Sequence, residues 1–360
     1  MLFKKIIKIL IRCTAITMVV ILGLCIYLYT VSPINPVPWQ PAPNPGFNGE
    51  FLSNSKLSSI DKIMNGVGIG PEDIAKGPNG YYYTGYRDGR IVRFNSNGMH
   101  NVFANTKGQP LGMEFDVNDN LIVADAEKGL LSINTAGEIT VLTDNVDGDK
   151  MLFVDDLDIA DDGTIWFSDV SMLYSYDNSI YSLIENKATG RLLSYSPTTL
   201  ITKVQLEGLR FANGVAMGPN DEFVLVNETA GSRISRLWLK GAKKGQSDVF
   251  FNGFPGAPDN LSFNGIDTFW VAFAGIRIPS LDALADKPLI RKLIGGLPKE
   301  SLVPKNKHGL IVGINLDGEI SHNLQDKNSP IQTITSVNQW GDTLFIGNLA
   351  SDFIALYELR

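Results

Sequence analysis

The sequence predicts an all-β fold, a six-bladed β-propeller that follows an N-terminal transmembrane helix. Three observations support this prediction. Residues 14–31 contain no charged side chain and reach the lower length limit of a bilayer span. From about residue 50 onward, short apolar runs alternate with Gly, Asn and Asp turns, as in all-β proteins. Similar segments recur at intervals of about 40 residues or slightly more, which is the length of one propeller blade.

The chain of 360 residues is 44% hydrophobic and 19% charged, a composition typical of folded proteins. Its formal charge is −7. The first 12 residues carry four basic side chains and no acid, so the rest of the chain carries −11. An acidic body without a basic stripe argues against a nucleic-acid partner, whereas it is compatible with cation binding.

Residues 1–31 are predicted to form a basic cytoplasmic end and a transmembrane signal anchor. The flanking basic residues, Lys4, Lys5, Lys8 and Arg12, lie only on the N-terminal side, which places the N-terminus in the cytoplasm and the body across the membrane. A cleavable signal peptide is the alternative, but no Ala-x-Ala-like site follows the apolar run. Cys13 and Cys25 would lie about 18 Å apart along a helix, too far for an internal disulfide.

Residues 32–49 are rich in proline and predict an extended linker that holds the body away from the membrane. Residues 50–360 form the predicted propeller. Its six blades are expected to begin at Glu72, Leu111, Asp155, Asn213, Asp259 and Ser336. A strand near Phe51 is expected to complete the last blade and close the ring.

A lid-like insertion at about 276–308 interrupts the blade pattern. Within it, residues 280–298 predict amphipathic helix interrupted at Pro288, with Lys287, Arg291 and Lys292 opposite the apolar side chains. Two interpretations remain open. The helix packs over a face of the propeller, or it forms an interfacial element that contacts lipid beside the anchor.

Oxygen-bearing side chains stand at the starts of several predicted innermost strands. Glu72, Asp155, Asn213 and Asp259, with Asn260 beside the last, would converge on the propeller axis. Ca²⁺ prefers such an all-oxygen set, and the absence of nearby His or Cys disfavours zinc. Turn formation is the simpler interpretation of the Pro-Asp-Asn segment alone. In a regular strand only one of Asp155 and its neighbour Asp156 could face the axis.

Calcium in such a site is either structural or catalytic. Catalysis needs an open coordination position and a base or nucleophile, for which Asp259 is the best candidate. No GxSxG motif indicates a serine hydrolase, and His308 could at most reach the channel mouth. Asn227 and Asn260 each begin an N-glycosylation pattern, although a metal-binding role for Asn260 would make its pattern fortuitous.

Several motifs together resemble the strictosidine synthase-like branch of the calcium-dependent six-bladed propellers, a superfamily that includes gluconolactonase-like proteins and paraoxonases. These motifs are GPEDIA, FVDDLDIADDG, FANGVAMG and PGAPDNLSF. The resemblance extends from about residue 50 to the end of the chain. It implies lactonase or arylesterase hydrolysis at a central Ca²⁺. It also implies that Glu72, Asp155, Asn213 and Asp259 are metal ligands, with Asn260 adjoining them.

The chain departs from this pattern at three places. Asp155 stands where the family usually has Asn, and its extra charge should tighten metal binding and weaken activation of the substrate. Thr335 and Ser336 stand where strictosidine synthases carry a catalytic Glu, so amine–aldehyde condensation is not expected. The paraoxonase histidine pair has no counterpart. We therefore expect a membrane-anchored, calcium-dependent hydrolase of a small ester or lactone, with a non-enzymatic propeller holding structural calcium as the alternative.

Overall fold

The computed structural model describes residues 2–304, 307–331 and 333–359. The chain forms two compact units. A helical unit comprises residues 1–40, 179–187 and 279–304, and a propeller unit comprises residues 41–178, 188–278 and 305–360. The helices that interrupt the blade pattern thus group with the N-terminal segment.

The propeller unit contains six four-stranded antiparallel sheets, which confirms the predicted fold. The first five blades are β2–β5 (Ile74–Lys76, Tyr82–Gly85, Arg90–Phe94, His100–Asn105), β6–β9 (Pro110–Phe115, Leu121–Asp125, Gly129–Ile133, Ile139–Thr143), β12–β15 (Val154–Ile159, Ile165–Asp169, Gly190–Ser196, Ile201–Leu209), β16–β19 (Ala212–Met217, Phe223–Glu228, Arg233–Trp238, Ser247–Asn252) and β20–β23 (Gly256–Phe263, Thr268–Ile276, Gly309–Asn315, Ile320–Asp326). The strands β10 (Asn145–Val146) and β11 (Asp149–Lys150) form a separate short hairpin.

The sixth blade closes the ring between the two ends of the propeller sequence. It has the order β1–β26–β25–β24, with β1 at Asp61–Ile63, β24 at Ile334–Trp340, β25 at Thr343–Asn348 and β26 at Ile354–Glu358. Lys62 of β1 pairs with Ala355 of β26. The prediction of a closing strand near Phe51 was therefore wrong by about ten residues. Phe51 ends a 3₁₀ turn instead, and its ring packs edge-on against Phe254.

The core is divided into layers between neighbouring blades. Blades 4 and 5 meet through side chains such as Leu225 and Val271, blades 5 and 6 through Ile311 and Ile346, and the remaining pairs through equivalent layers. These residues alternate along their strands, so each sheet buries both faces. The first strands contact one another in the closed order β2, β6, β12, β16, β20, β24 and back to β2. They therefore surround the propeller axis.

A β-bulge interrupts the first strand of blades 2 to 6 at the same place. The pairing register shifts between Pro110 and Met113, Val154 and Leu157, Ala212 and Val215, Pro258 and Leu261, and Ile334 and Val337. A bulge releases two residues from the ladder and redirects their side chains. The released residues include four of the five predicted metal ligands.

One buried ion pair lies at the end of the β13–β14 pair. Arg191 Nε and Nη2 donate to Asp169 Oδ2 at 3.1 and 2.5 Å, and both side chains are almost fully buried. We expect Arg191→Met to lower the free energy of unfolding by about 3–5 kcal/mol, because a buried carboxylate loses its partner. Urea unfolding of Arg191→Met against Lys128→Met, which removes a half-exposed 3.8 Å pair, measures this difference. Equal destabilisation in the two variants would contradict it.

The helical unit begins with the apolar helix α1 (Leu2–Val31), in which residues 3–31 are long and apolar enough to cross a membrane. Its other helices are α2 (Ser179–Glu185), α3 (Pro279–Asp282), α4 (Pro288–Gly295) and α5 (Lys299–Leu302). Pro288 starts α4 rather than interrupting a longer helix, at a position where the missing N–H costs nothing.

The linker has no helix or strand between Ser32 and Asn48, and each half of its backbone accepts hydrogen bonds within its own unit. The carbonyls of Ile34 and Val37 accept hydrogen bonds from the basic side chains of α4. In the propeller unit, Arg277 donates to the carbonyls of Ala42 and Pro43. The linker is therefore not the free spacer that its composition suggested.

Candidate metal and active site at the propeller axis

We call Glu72, Asp155, Asn213, Asp259 and Asn260 the axial cluster. The bulge of β12 carries Asp155, that of β16 carries Asn213, and that of β20 carries Asp259 and Asn260. Glu72 precedes β2 by two residues. All five side chains belong to residues that are 1–6% exposed. The bulges thus direct polar side chains into an enclosed space at the axis.

Hydrogen bonds connect the members of the axial cluster. Asn260 Nδ2 donates to Glu72 Oε1 at 3.0 Å, and Asn213 Nδ2 donates to Asp259 Oδ1 at 2.7 Å. Asn227 of β17 donates from its Nδ2 to the carbonyl oxygen of Asp259 at 2.5 Å. Hydrogen bonds therefore join blade 1 to blade 5 and blade 4 to blade 5 within the axial cluster.

Burial raises the pKa values of the carboxylates in the axial cluster, and neighbouring charges add to the shift for two of them. Burial raises the pKa of Glu72 well above its usual value, and the charge of Asp155 adds to the shift. Burial and the charge of Asp259 raise the pKa of Asp155. Burial raises the pKa of Asp259 to about 7, against the opposing effect of the Asn213 hydrogen bond. Three acids in such proximity cannot all ionise without a compensating positive charge.

Several buried oxygen atoms of the axial cluster and of the adjacent Asn227 have no hydrogen-bond partner. They are Glu72 Oε2, Asn213 Oδ1, Asn227 Oδ1 and Asn260 Oδ1. A buried oxygen without a donor is costly, and a hard cation such as Ca²⁺ would satisfy carboxylate and amide oxygens together. In the described part of the chain no three Asp, Glu, His or Cys side chains form a metal site alone. A site here would therefore depend on the amides, and the residues present suit calcium.

The hydroxyl groups of blade 6 position Glu72. Thr335 Oγ1 and Ser336 Oγ donate to the carbonyl oxygen of Glu72 at 2.7 and 2.9 Å. These two residues occupy the bulge of β24, where the sequence comparison expected a synthase to carry its catalytic Glu. Blade 6 thus contributes no carboxylate at this position, and its hydroxyls fix the backbone of a predicted ligand instead.

Asp155 and Asp156 have separate environments despite being neighbours. Asp156 Oδ2 accepts a hydrogen bond from the Val215 N–H of blade 4 at 2.9 Å. Asp73 acts in the same way between blades 1 and 2, where its Oδ2 accepts from the Met113 N–H at 3.1 Å. Both acids line a cavity of about 520 Å³ along the first strands. This second set of acids joins neighbouring blades.

Tyr176 interacts electrostatically with the axial cluster and with Arg87, and neither residue was identified from the sequence. Burial raises the pKa of Tyr176 to about 12; the Arg87 charge opposes the shift, whereas the acids of the axial cluster add to it. Tyr176 packs edge-on against Phe153 at 5.3 Å. Tyr176 lies in the insertion between β13 and β14. Because this insertion has no periodic pattern, only the presence of a phenol side chain could have suggested a functional residue there.

His308 and the two glycosylation patterns have other structural roles. His308 stacks on Phe47 at 4.4 Å, and its Nε2 lies 3.0 Å from Gln325 Oε1.

Asn227 and Asn260 are buried in the propeller. We expect neither asparagine to carry a glycan after expression in a secretory host, because the glycan would have to occupy the axis. Treatment with an N-glycosidase should leave the mass unchanged, and a decrease would contradict this expectation.

Two family profiles match parts of the chain. The profile described as strictosidine synthase covers residues 155–242, and the profile described as strictosidine synthase-like, N-terminal, covers residues 49–94. The adipocyte plasma membrane-associated protein of Rattus norvegicus is 32% identical over 91% of this chain and 94% of its own length. Strictosidine synthase-like protein 4 of Arabidopsis thaliana is 33% identical over 88% of this chain and 85% of its own. The chain belongs to the strictosidine synthase-like family.

This strictosidine synthase-like protein shares its fold with more distant solved structures. A gluconolactonase from Xanthomonas campestris matches with a TM-score of 0.61 at 16% identity and covers 91% of this chain and 99% of its own. The calcium-binding protein regucalcin from Agrobacterium tumefaciens matches with a TM-score of 0.57 at 14% identity and covers 83% of this chain and 93% of its own. At these identities the matches establish the six-bladed fold.

Proposed function

We propose that the protein is a membrane-anchored hydrolase of small lactones or esters, with one Ca²⁺ bound by the axial cluster. The observation that carries the proposal is the set of buried, mutually repelling carboxylates surrounded by amide oxygens without partners. The gluconolactonase and the calcium-binding regucalcin of the same fold support it. The plasma membrane-associated relatives support the anchor.

In this proposal Glu72, Asp155, Asn213, Asp259 and Asn260 hold the ion. When bound, Ca²⁺ would polarise the acyl carbonyl oxygen of the substrate. Hydrolysis joins the water oxygen to the acyl carbon, breaks the acyl C–O bond and returns a proton to the departing oxygen. Asp259 accepts the proton from the attacking water and passes it to the departing oxygen. Alternatively its carboxylate attacks the acyl carbon and displaces the departing oxygen, and water then hydrolyses the resulting anhydride to restore Asp259. Asn213, bonded to Asp259 Oδ1 at 2.7 Å, orients that carboxylate.

We also propose that α1 spans the membrane with its N-terminus in the cytoplasm. Lys4, Lys5, Lys8 and Arg12 all lie in the first half of the helix, and basic residues are retained on the cytoplasmic side. The propeller would then act on the periplasmic, extracellular or lumenal side.

The full-length protein, treated with a chelator and assayed against a panel of aryl esters and lactones, tests this function. We expect turnover to disappear with chelation and to return when Ca²⁺ is added. Mg²⁺ serves as the control ion, because its smaller octahedral shell fits a ring of protein oxygens poorly. Turnover that is unaffected by chelation would contradict the proposal.

One observation favours a second candidate, a non-enzymatic propeller with structural calcium. The residues of the axial cluster are almost completely buried, which suits an ion that joins blades as well as one that meets substrate. In that case Ca²⁺ would raise the melting temperature strongly while no ester or lactone in the panel is hydrolysed.

A further inference from the structure

The helix α4 buries an arginine and exposes several of its large apolar side chains, although Leu293 and Ile294 are half-buried. Arg291 is 2% exposed, whereas Leu289, Ile290 and Leu297 just beyond the helix are 61%, 42% and 39% exposed. Surface helices normally bury the apolar side and expose the charges. The outer side of α4 therefore has the composition expected against an apolar medium.

The basic side chains of α4 are occupied inside the helical unit. Arg291 Nη1 donates to the Glu185 carbonyl at the end of α2 at 2.8 Å, and Arg291 Nη2 donates to the carbonyls of Ala285 at 3.0 Å and of Val37. Carbonyl groups at helix ends and in linkers lack a partner within a helix or sheet, so a buried guanidinium can bind several of them at once. Because Arg291 satisfies them, α4 cannot turn to expose this side.

The next basic residue binds α4 to the chain that leaves α1. Lys292 Nζ donates to the Ile34 carbonyl at 2.8 Å and to Asn35 Oδ1 at 2.6 Å, and it lies 5.0 Å from the centre of the Tyr29 ring. These contacts direct the Lys292 ammonium group toward protein atoms. Any attraction of α4 to a membrane would therefore come from its apolar side chains.

Close packing sets α4 directly against the last turn of α1. A Cβ atom at Gly296 would collide with the carbonyl of Leu28, and one at Gly295 would meet the side chain of Ile34 at 2.6 Å. Small residues at such positions allow two helices to approach closely. The exposed side chains of Leu289 and Ile290 thus belong to a helix that packs against the end of α1, where Tyr29 and Val31 are also exposed.

We infer that the outer side of α4, formed by Leu289, Ile290 and Leu297, lies in the interfacial layer of the same bilayer that receives α1. The occupant of this apolar side is lipid, because the side continues the apolar surface of a helix that is long enough to span a membrane. Helices of this kind bury their apolar side at the boundary of headgroups and acyl chains. This inference rests on the membrane anchor of the proposed function.

Fluorescence quenching in nanodiscs tests this inference on the full-length chain. Cys13 and Cys25 are replaced by Ala, and a single cysteine is introduced by Leu289→Cys, Leu22→Cys or Val141→Cys. Each is labelled with the environment-sensitive dye NBD, and the discs contain phosphatidylcholine with or without spin-labelled acyl chains. Val141 is an exposed apolar residue on an outer propeller strand and serves as the matched control.

We expect a blue-shifted emission and a loss of intensity with spin-labelled lipid at positions 289 and 22, and neither effect at position 141. Quenching at 22 without quenching at 289 would overturn the inference about α4 alone. A blue shift at 289 without quenching by lipid would also overturn it, because a protein surface would then cover the helix. No quenching at 22 would instead reject the membrane anchor. The hydrolase assay is independent of all these outcomes.

Discussion

Asp259→Asn is expected to reduce the turnover of lactone or ester substrates by about 10³-fold, in line with the loss of a positioned proton acceptor. The substitution keeps the size of the side chain and leaves an oxygen that can accept from Asn213, which now lies 2.7 Å from Asp259 Oδ1. It removes one negative charge from the axial cluster. Steady-state kinetics with Ca²⁺ at saturation measure the loss of kcat.

The matched control is Asp248→Asn, which removes an acid bound to Arg236 on the strands β18 and β19. Its turnover should equal that of the wild-type protein. Circular dichroism and thermal unfolding of Asp259→Asn should show a folded propeller. Unchanged kcat in a folded, calcium-loaded Asp259→Asn protein would exclude the assigned role of Asp259.

The second large effect concerns the stability of the calcium-free protein. Its free energy of unfolding should fall as the pH rises from about 4 to about 7. The folded protein raises the pKa of Asp259 from 3.8 to about 7 and raises those of Glu72 and Asp155 in the same direction. Between pH values of about 4 and about 7 the folded state binds more protons than the unfolded state. Each increase in pH over this range therefore destabilises the folded state. Since one pKa unit corresponds to about 1.4 kcal/mol, the total effect is a few kcal/mol.

Saturating Ca²⁺ should remove this loss, because the ion takes the place of the protons. At a calcium concentration 1,000-fold above the dissociation constant, binding stabilises the folded state by about 4 kcal/mol. Chemical unfolding at pH 5 and pH 8, with Ca²⁺ or with a chelator, provides the four free energies of unfolding that this comparison needs. The variant Asp155→Asn should be more stable than wild type without calcium at pH 8 and should bind the ion more weakly. A calcium-free protein that is more stable at pH 8 than at pH 5 would contradict the assignment of the pH effect and the calcium effect to the same carboxylates.

The blade organisation was predictable because it depends on local patterns. Turn residues and alternating apolar positions repeat along the chain, and each predicted blade start lies within a first strand or two residues before one. The grouping of Glu72, Asn213 and Asp259 followed from this repetition alone. The bulges were not predicted, and they explain why Asp155 and Asp156 are both buried although regular strands alternate their side chains.

The elements that sequence analysis missed depend on long-range contacts. The closing strand β1 has only three residues and no apolar alternation, and its pairing partner lies near the other end of the chain. Tyr176, whose pKa is raised by burial and by the charges of the axial cluster, lies in an insertion without a periodic pattern. The orientation of α4 stayed open between two interpretations, because an amphipathic pattern states which residues share a side but not which side faces the protein.

The pairing of β1 with β26 also determines when the ring can form during synthesis. Lys62 leaves the ribosome soon after α1, but its partner Ala355 is made only after the strands of blades 1 to 5. These five blades can assemble in order while translation continues, whereas the sixth blade must wait until β26 has been made. Until then the first and fifth blades present uncovered faces. A premature stop that removes β26 should therefore leave a nearly complete chain that fails quality control rather than a propeller with one blade missing.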